Sequence, residues 1–175
     1  MTTIYKLTDA AMQTYGGYQW ALGETRTTSG EGELCGDGWL HCYENANLAV
    51  IMNPIHGKFN AATMRMFEGV GGEKRKDDRG LKCGYTELTL VRQIDVPVIS
   101  TEHRVAFAII CAMKVCKDEK WTRWADRWLS GEDRSEAAAD AAWAAARAAA
   151  EVSDLDLAAI FEEARQYIGG GRNQK

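Results

Sequence analysis

The first 97 residues alternate in short apolar and polar runs, broken by glycine-rich connections. A period of two marks β-strands. "TIYKLTD" predicts a strand from Thr3 to Thr8, and "GYQWAL" predicts a second. "GETRTTSGEGELCGDG" reads as an exposed loop. Trp39–Tyr43 and "TMRMFEGV" are further strands, and the charged "GEKRKDDRG" is a turn or loop. "LKCGYTELTLVRQI" is the longest β candidate, with Gly84 marking a bulge. One short helix interrupts this half. Asn45 caps it, and "ANLAVIM" carries it to a stop before Pro54, because the residue before a proline avoids helical backbone.

After Pro97 the period lengthens to that of a helix. Ser100 caps "TEHRVAFAIICAMKVC", where Phe107 and Ile110 widen the stripe of Val105, Ala108, Ile109 and Ala112. Such a helix is buried over much of its girth. Asp118 caps the next helix, on which Trp121, Trp124, Ala125, Trp128 and Leu129 recur at one-face spacing. The three tryptophans are its expected anchors on the sheet, and Gly131 suits its C-terminal stop. Asp133 with Glu136 opens a third helix, and Ser153 with Asp156 opens a fourth. On the fourth, Leu157, Ile160, Phe161, Ala164, Tyr167 and Ile168 line one face. The expected fold class is α+β: an antiparallel β-rich N-terminal half, then a C-terminal run of about four helices, one of them alanine-rich. The β-rich region spans 1–98, the helical region 99–170, and residues 171–175 form a tail.

The alanine-rich segment holds eleven alanines in the fourteen residues from Ala137 to Ala150. Alanine forms helix by intrinsic propensity, so this helix needs little packing. Trp143 is its single large side chain, and Asp140 and Arg147 mark its polar side. With Glu132, Asp133 and Arg134 they make the expected partner-binding surface. Small side chains also suit close helix–helix contact, so a homo-oligomer fits this segment.

The net charge of −4 argues against broad nucleic-acid binding, which wants a basic face. No apolar run is long enough to span a bilayer. "MTTIYKLTDAAMQ" lacks the basic and apolar regions of a signal peptide, which points to the cytoplasm and reduced thiols at the five cysteines. Cys35, His41 and Cys42 lie close together, with Cys83 and His56 further on, but their spacing matches no compact zinc signature. A small buried cysteine and a strand histidine bonded to a backbone carbonyl is the simpler reading, so no metal or cofactor is expected. No G-x-S-x-G, H-E-x-x-H or Walker motif is present, and no catalytic residue is assigned. The glycines beside Lys74, Arg75 and Lys76 precede a strand rather than a helix, so they read as a hairpin loop and not a phosphate loop.

"TYGGYQW", "LCGDGWLHCYENANLAVIMNPIH", "GLKCGYTELTLVRQI" and "WADRWLSGEDRSEAAADAAWAAA" resemble a family of proteins encoded by bacteriophages and prophages. The likeness runs from about Tyr5 to Ala150. It implies a viral accessory protein in the cytoplasm of a bacterial host and transfers no activity. The alanine–tryptophan segment is also similar to stretches of bacterial immunity proteins. "GWLHCYENANLAVIM" resembles the strand-then-helix of ADP-ribosyltransferase-like folds, without the usual Arg or His on the first strand or an identifiable catalytic Glu motif. Two main expectations follow. The first is a non-catalytic inhibitor of a host protein or ribonucleoprotein complex, anti-CRISPR-like in role. The second is a nucleotide- or NAD-related binding protein or enzyme, with His41, Glu68 and Arg92 as its polar strand residues. A structural or assembly protein of the phage is a further alternative.

Overall fold

Residues 1–72, 75–78, 82–116, 118–132, 134 and 155–169 are described by the computed structural model. They fall into two units, Met1–Val98 and Ile99–Lys175. The fold is α+β, with antiparallel sheets in the N-terminal half and helices concentrated in the C-terminal half.

The N-terminal unit holds a four-stranded antiparallel sheet in the order β1 (Thr2–Thr8), β6 (Arg65–Gly71), β9 (Glu87–Ile94), β4 (Thr25–Thr27). A three-stranded antiparallel sheet runs β5 (Leu40–Cys42), β8 (Cys83–Tyr85), β7 (Arg75–Asp77). A ribbon of β2 (Gln13–Thr14) and β3 (Tyr18–Gln19) turns through Tyr15–Gly17. The sheets meet where Tyr5 and Tyr43 exchange two backbone hydrogen bonds, at 2.7 and 2.9 Å. Ile4, Trp20, Phe67, Tyr85, Leu88 and Leu90 belong to the core between them. Helix α1 (Ala46–His56) packs on β1. Its start is local: the Asn45 side chain accepts from the Leu48 N–H at 3.0 Å.

Five readings change. Helix α1 runs through Pro54 instead of stopping before it. Pro54 has no N–H to give the helix, but its fixed φ fits, and Asn53 just before it holds the last turn closed. The Asn53 carbonyl accepts from Gly57 and Lys58 at 3.0 and 2.6 Å. Its side chain donates to the Phe59 carbonyl at 2.8 Å and accepts from the Phe59 N–H at 3.0 Å. The polar loop contains β4 and the charged turn contains β7, each made a strand by its partner: Thr25 pairs with Thr89, and Arg75 with Tyr85. "GYQWAL" shrinks to β3 and a single bridge from Leu22 to Leu90. The longest β candidate is two strands in different sheets, and the bulge lies opposite them at Glu68/Gly69. Gly84 serves packing instead, since a Cβ there would stand 2.6 Å from Leu34 Cδ1 and 2.9 Å from Trp39 Cβ.

In the C-terminal unit, α2 (Thr101–Val115) is buried from Val105 through Ala112. Its cap is reciprocal: Ser100 Oγ accepts from the His103 N–H, and His103 Nδ1 accepts from the Ser100 N–H. Helix α3 (Glu119–Ser130) starts at Asp118 and ends at Gly131, whose φ of 83° is left-handed. Trp128 is buried, whereas Trp121 and Trp124 are half-buried and lean on each other at 5.9 Å. Helix α4 (Leu157–Gly169) packs on α2, with Phe161 edge-on to Phe107 at 6.1 Å. Asp156 caps it, accepting from the Ala159 N–H at 3.0 Å. Leu157, Ile160, Phe161 and Ala164 are buried, but Tyr167 is exposed. The Ile168 side chain, Asp133, Glu136 and Ser153 lie outside the described residues. No helix among the described residues is long and apolar enough to cross a membrane.

Asn53→Ala removes both side-chain bonds to Phe59 in a buried position. We expect a loss of about 1–3 kcal/mol in unfolding free energy, read by urea titration.

Candidate functional site

Ile4, Lys6 and Thr8 alternate on one face of β1, and all three are buried. Lys6 therefore takes a core position, at 6 % exposure. Its Nζ donates to the His41 carbonyl at 2.5 Å and lies 4.5 Å from the centre of the Trp20 ring. No carboxylate pairs with it among the described residues. The nearby Asp9 carboxylate is already engaged, accepting from the Ala11 and Gln13 N–H groups at 2.9 and 2.7 Å. Burial depresses the Lys6 pKa to about 8.

Lys6 opens on two adjoining cavities of about 330 and 500 Å³. Lys6, Thr14, Tyr15, His41, His56 and Lys82 line both, so the two form one cleft. Tyr43 and Phe59 extend one end, and Tyr18, Trp20 and Trp39 the other. Tyr15 stands 99 % exposed at the rim, on a tip that Gly16 and Gly17 turn with φ of 70° and 76°. A side chain is strained in that conformation, which is why glycines are needed there.

His41 is half-buried on β5 and its Nε2 bonds the Leu34 carbonyl. Burial lowers its pKa, helped by the Lys82 and Lys6 charges and opposed by the Leu34 bond. His56 ends α1, stacks on Tyr43 at 6.1 Å and shares a 2.6 Å hydrogen bond with its hydroxyl. Partial desolvation and then Lys82 lower the His56 pKa. Lys82 itself lies 3.1 Å from the exposed Cys35 sulfur. The cleft thus presents two ammonium groups and two imidazoles, a donor-rich surface suited to an anion.

A second polar group braces the three-stranded sheet. Glu44 takes a bidentate pair from Arg75, at 2.7 and 3.1 Å, and the Tyr85 hydroxyl at 2.5 Å. Burial works against its charge, but these bonds hold Glu44 below the usual carboxylate range. Arg75 also pairs with Asp77 at 2.5 Å.

Of the residues singled out in the sequence, Cys35, His41, Cys42 and His56 line the cleft. Glu68 and Arg92 do not: they pair with each other across β6 and β9 at 2.7 Å and line neither cavity, so they form no common site with His41. Glu132 pairs with Arg127 at 3.3 Å. Arg134 pairs with Glu102 at 3.4 Å and covers the Trp128 ring at 5.2 Å. These two residues are engaged locally rather than presented together. Trp143, Asp140, Arg147 and Asp133 lie outside the described residues. Cys42 is buried and His41 is bonded to a carbonyl, as the simpler reading of that cluster had it. No group of three or more metal-ligating side chains is placed to hold an ion among the described residues. Sequence reasoning missed Lys6, Tyr15 and Lys82, and raised His56 only as a distant metal-ligand candidate. The signal for Lys6 was present: a lysine in phase with Ile4 on a strand.

The domain of unknown function DUF7666 matches residues 2–102, more than half of the chain. The chain belongs to that family. Its span contains the whole cleft, from Lys6 to Lys82. No curated protein and no solved structure matches the chain.

Two outcomes test this geometry. Folded Lys6 holds its proton less tightly than the unfolded chain, so it opposes folding fully below pH 8 and the penalty fades between pH 8 and 10.5. Lys6→Met should raise stability at pH 7 by at most about 3 kcal/mol, with the gain over wild type shrinking toward pH 10.5, measured by unfolding at each pH. Burial pushes the Cys42 and Cys111 thiols up to about 12, while Cys35 is exposed. Iodoacetamide should therefore label Cys35 in the native protein and reach Cys42, Cys83 and Cys111 only on unfolding, as read by peptide mapping.

Proposed function

We propose that the N-terminal unit binds a phosphate-bearing nucleotide in the Lys6 cleft, with NAD, ADP-ribose and cyclic nucleotides as candidate ligands. The observation that carries this reading is Lys6 itself. A buried ammonium with no carboxylate partner costs stability. A ligand phosphate supplies the missing charge through charge-assisted hydrogen bonds. Lys82 is a second cation at the same junction, and bound phosphate favours the protonated form of His41 and His56. Aromatic rings at both ends add surface for stacking a base, worth about 1–3 kcal/mol per base in other proteins. The succession of β5 and α1 is also the order of elements that the ADP-ribosyltransferase-like resemblance implies. Lys6 occupies β1, where that resemblance lacks its usual Arg or His. A host-directed inhibitory role is favoured by no described residue.

Thermal-shift titration and calorimetry with each ligand test the proposal, with inorganic pyrophosphate as a control. A bound nucleotide at a hundred times its Kd should stabilise the fold by about 2.7 kcal/mol. Lys6→Met should abolish the ligand-dependent part of the shift. If no nucleotide moves the melting temperature at millimolar concentration, the reading is wrong.

A further inference from the structure

We propose that Lys6 is a carbonyl-reactive amine that forms a reversible imine with the open-chain aldehyde of a phosphorylated ribose held in the cleft. This rests on the nucleotide reading and narrows it to a ligand that carries a free sugar aldehyde, such as ADP-ribose.

Geometry carries the assignment. Lys6 lines both cavities, where they adjoin. Its fixed hydrogen bond is to one backbone carbonyl, and the ring of Trp20 covers another side. An amine so placed has no carboxylate to hold its proton, and once the ligand's phosphate settles on the cleft's second ammonium, Lys82, Lys6 is left to give up its proton and meet the aldehyde. Its depressed pKa of about 8 agrees: about one molecule in ten carries the neutral amine at pH 7, against fewer than about one in a thousand for an ordinary lysine. Desolvation is a recognised way of activating a lysine toward carbonyls. His41 and His56, on the same walls, are the nearby groups that take and return protons.

The chemistry balances without a further reactant. The neutral Lys6 nitrogen adds its lone pair to the carbonyl carbon, and the C=O π pair moves to oxygen. Nitrogen loses a proton and oxygen gains one, giving a carbinolamine. An imidazolium then protonates the hydroxyl, water leaves with the C–O pair, the nitrogen lone pair closes the C=N bond, and the imidazole takes the N–H proton of the iminium, which restores the imidazolium. One aldehyde and one amine give one imine and one water, with no change in oxidation state. Hydrolysis runs the same steps backwards.

The test uses the full chain at pH 7 with ribose 5-phosphate or ADP-ribose and sodium cyanoborohydride, which traps an imine as a stable amine. Brief exposures are followed by peptide mapping. Label at Lys6 at least tenfold faster than at the exposed Lys58 and Lys120 supports the proposal. Total incorporation in Lys6→Arg should fall to the level of those exposed lysines, with circular dichroism confirming its fold. Label at Lys6 no faster than at Lys58 and Lys120 overturns the proposal. NAD, which has no free aldehyde, separates the two readings. A thermal shift with NAD and no preference for Lys6 leaves nucleotide binding standing and sinks the imine. The absence of any nucleotide shift sinks the binding proposal, whatever the labelling shows.

Discussion

The Lys6 ammonium sits in phase with Ile4 and Thr8 on β1, so a charge occupies a place where the sheet otherwise puts apolar side chains. A charge in such a place demands neighbours. The His41 carbonyl and the Trp20 ring supply them, one from β5 and one from the segment after the β2–β3 ribbon. Each neighbour fixes an element. β5 must lie where its backbone can accept from β1, and the ribbon must fold back to bring Trp20 over the same strand. The Trp20 indole N–H is held in turn by Thr14 at 3.1 Å, which ties the ribbon to the rim of the cleft.

The second support is the cluster of Glu44, Arg75, Tyr85 and Asp77, spread over the three-stranded sheet and its flank. The strands of that sheet are three residues each, too short to rest on ladder hydrogen bonds alone. A bidentate arginine pair and a buried tyrosine hydroxyl give them added register. The same sheet carries His41 and Cys42 on β5, which both line the cleft, so the brace steadies the sheet that supplies part of its wall. Asn53 plays the matching role at the end of α1, where it pins the turn that delivers His56 and Phe59 to the cleft wall.

Legibility in the sequence followed interaction range. The caps at Asn45, Ser100 and Asp118 and the stop at Gly131 were readable because each joins residues a few positions apart. The strands β4 and β7 were not, because polar segments such as Thr25–Thr27 and Arg75–Asp77 become strands only through a partner sixty or ten residues away. The cleft was harder still. Lys6, His56 and Lys82 meet through the pairing of β1 with Tyr43 and of β5 with β8, which no local pattern states. His41, Glu68 and Arg92 were all picked as polar strand residues; His41 reaches the cleft, whereas Glu68 and Arg92 neutralise each other. The segment chosen as a partner surface is poor in long-range signal for the same reason that it stood out: alanine says how the backbone coils and little about what it touches.

The pair of amide bonds between Tyr5 and Tyr43 has a consequence for selectivity. Lys6 follows Tyr5 by one residue and Cys42 precedes Tyr43 by one, so the floor of the cleft is stitched directly beside its charged group. The two backbones are held there at one strand spacing, about 4.8 Å, and part only by breaking backbone bonds. A floor of that kind fixes the place of the charge, so a guest must come to Lys6 rather than Lys6 to the guest. Tyr15, on its glycine-turned tip, stands unpacked at the rim, so guests of equal charge meet a backbone-anchored cation and an unpacked ring.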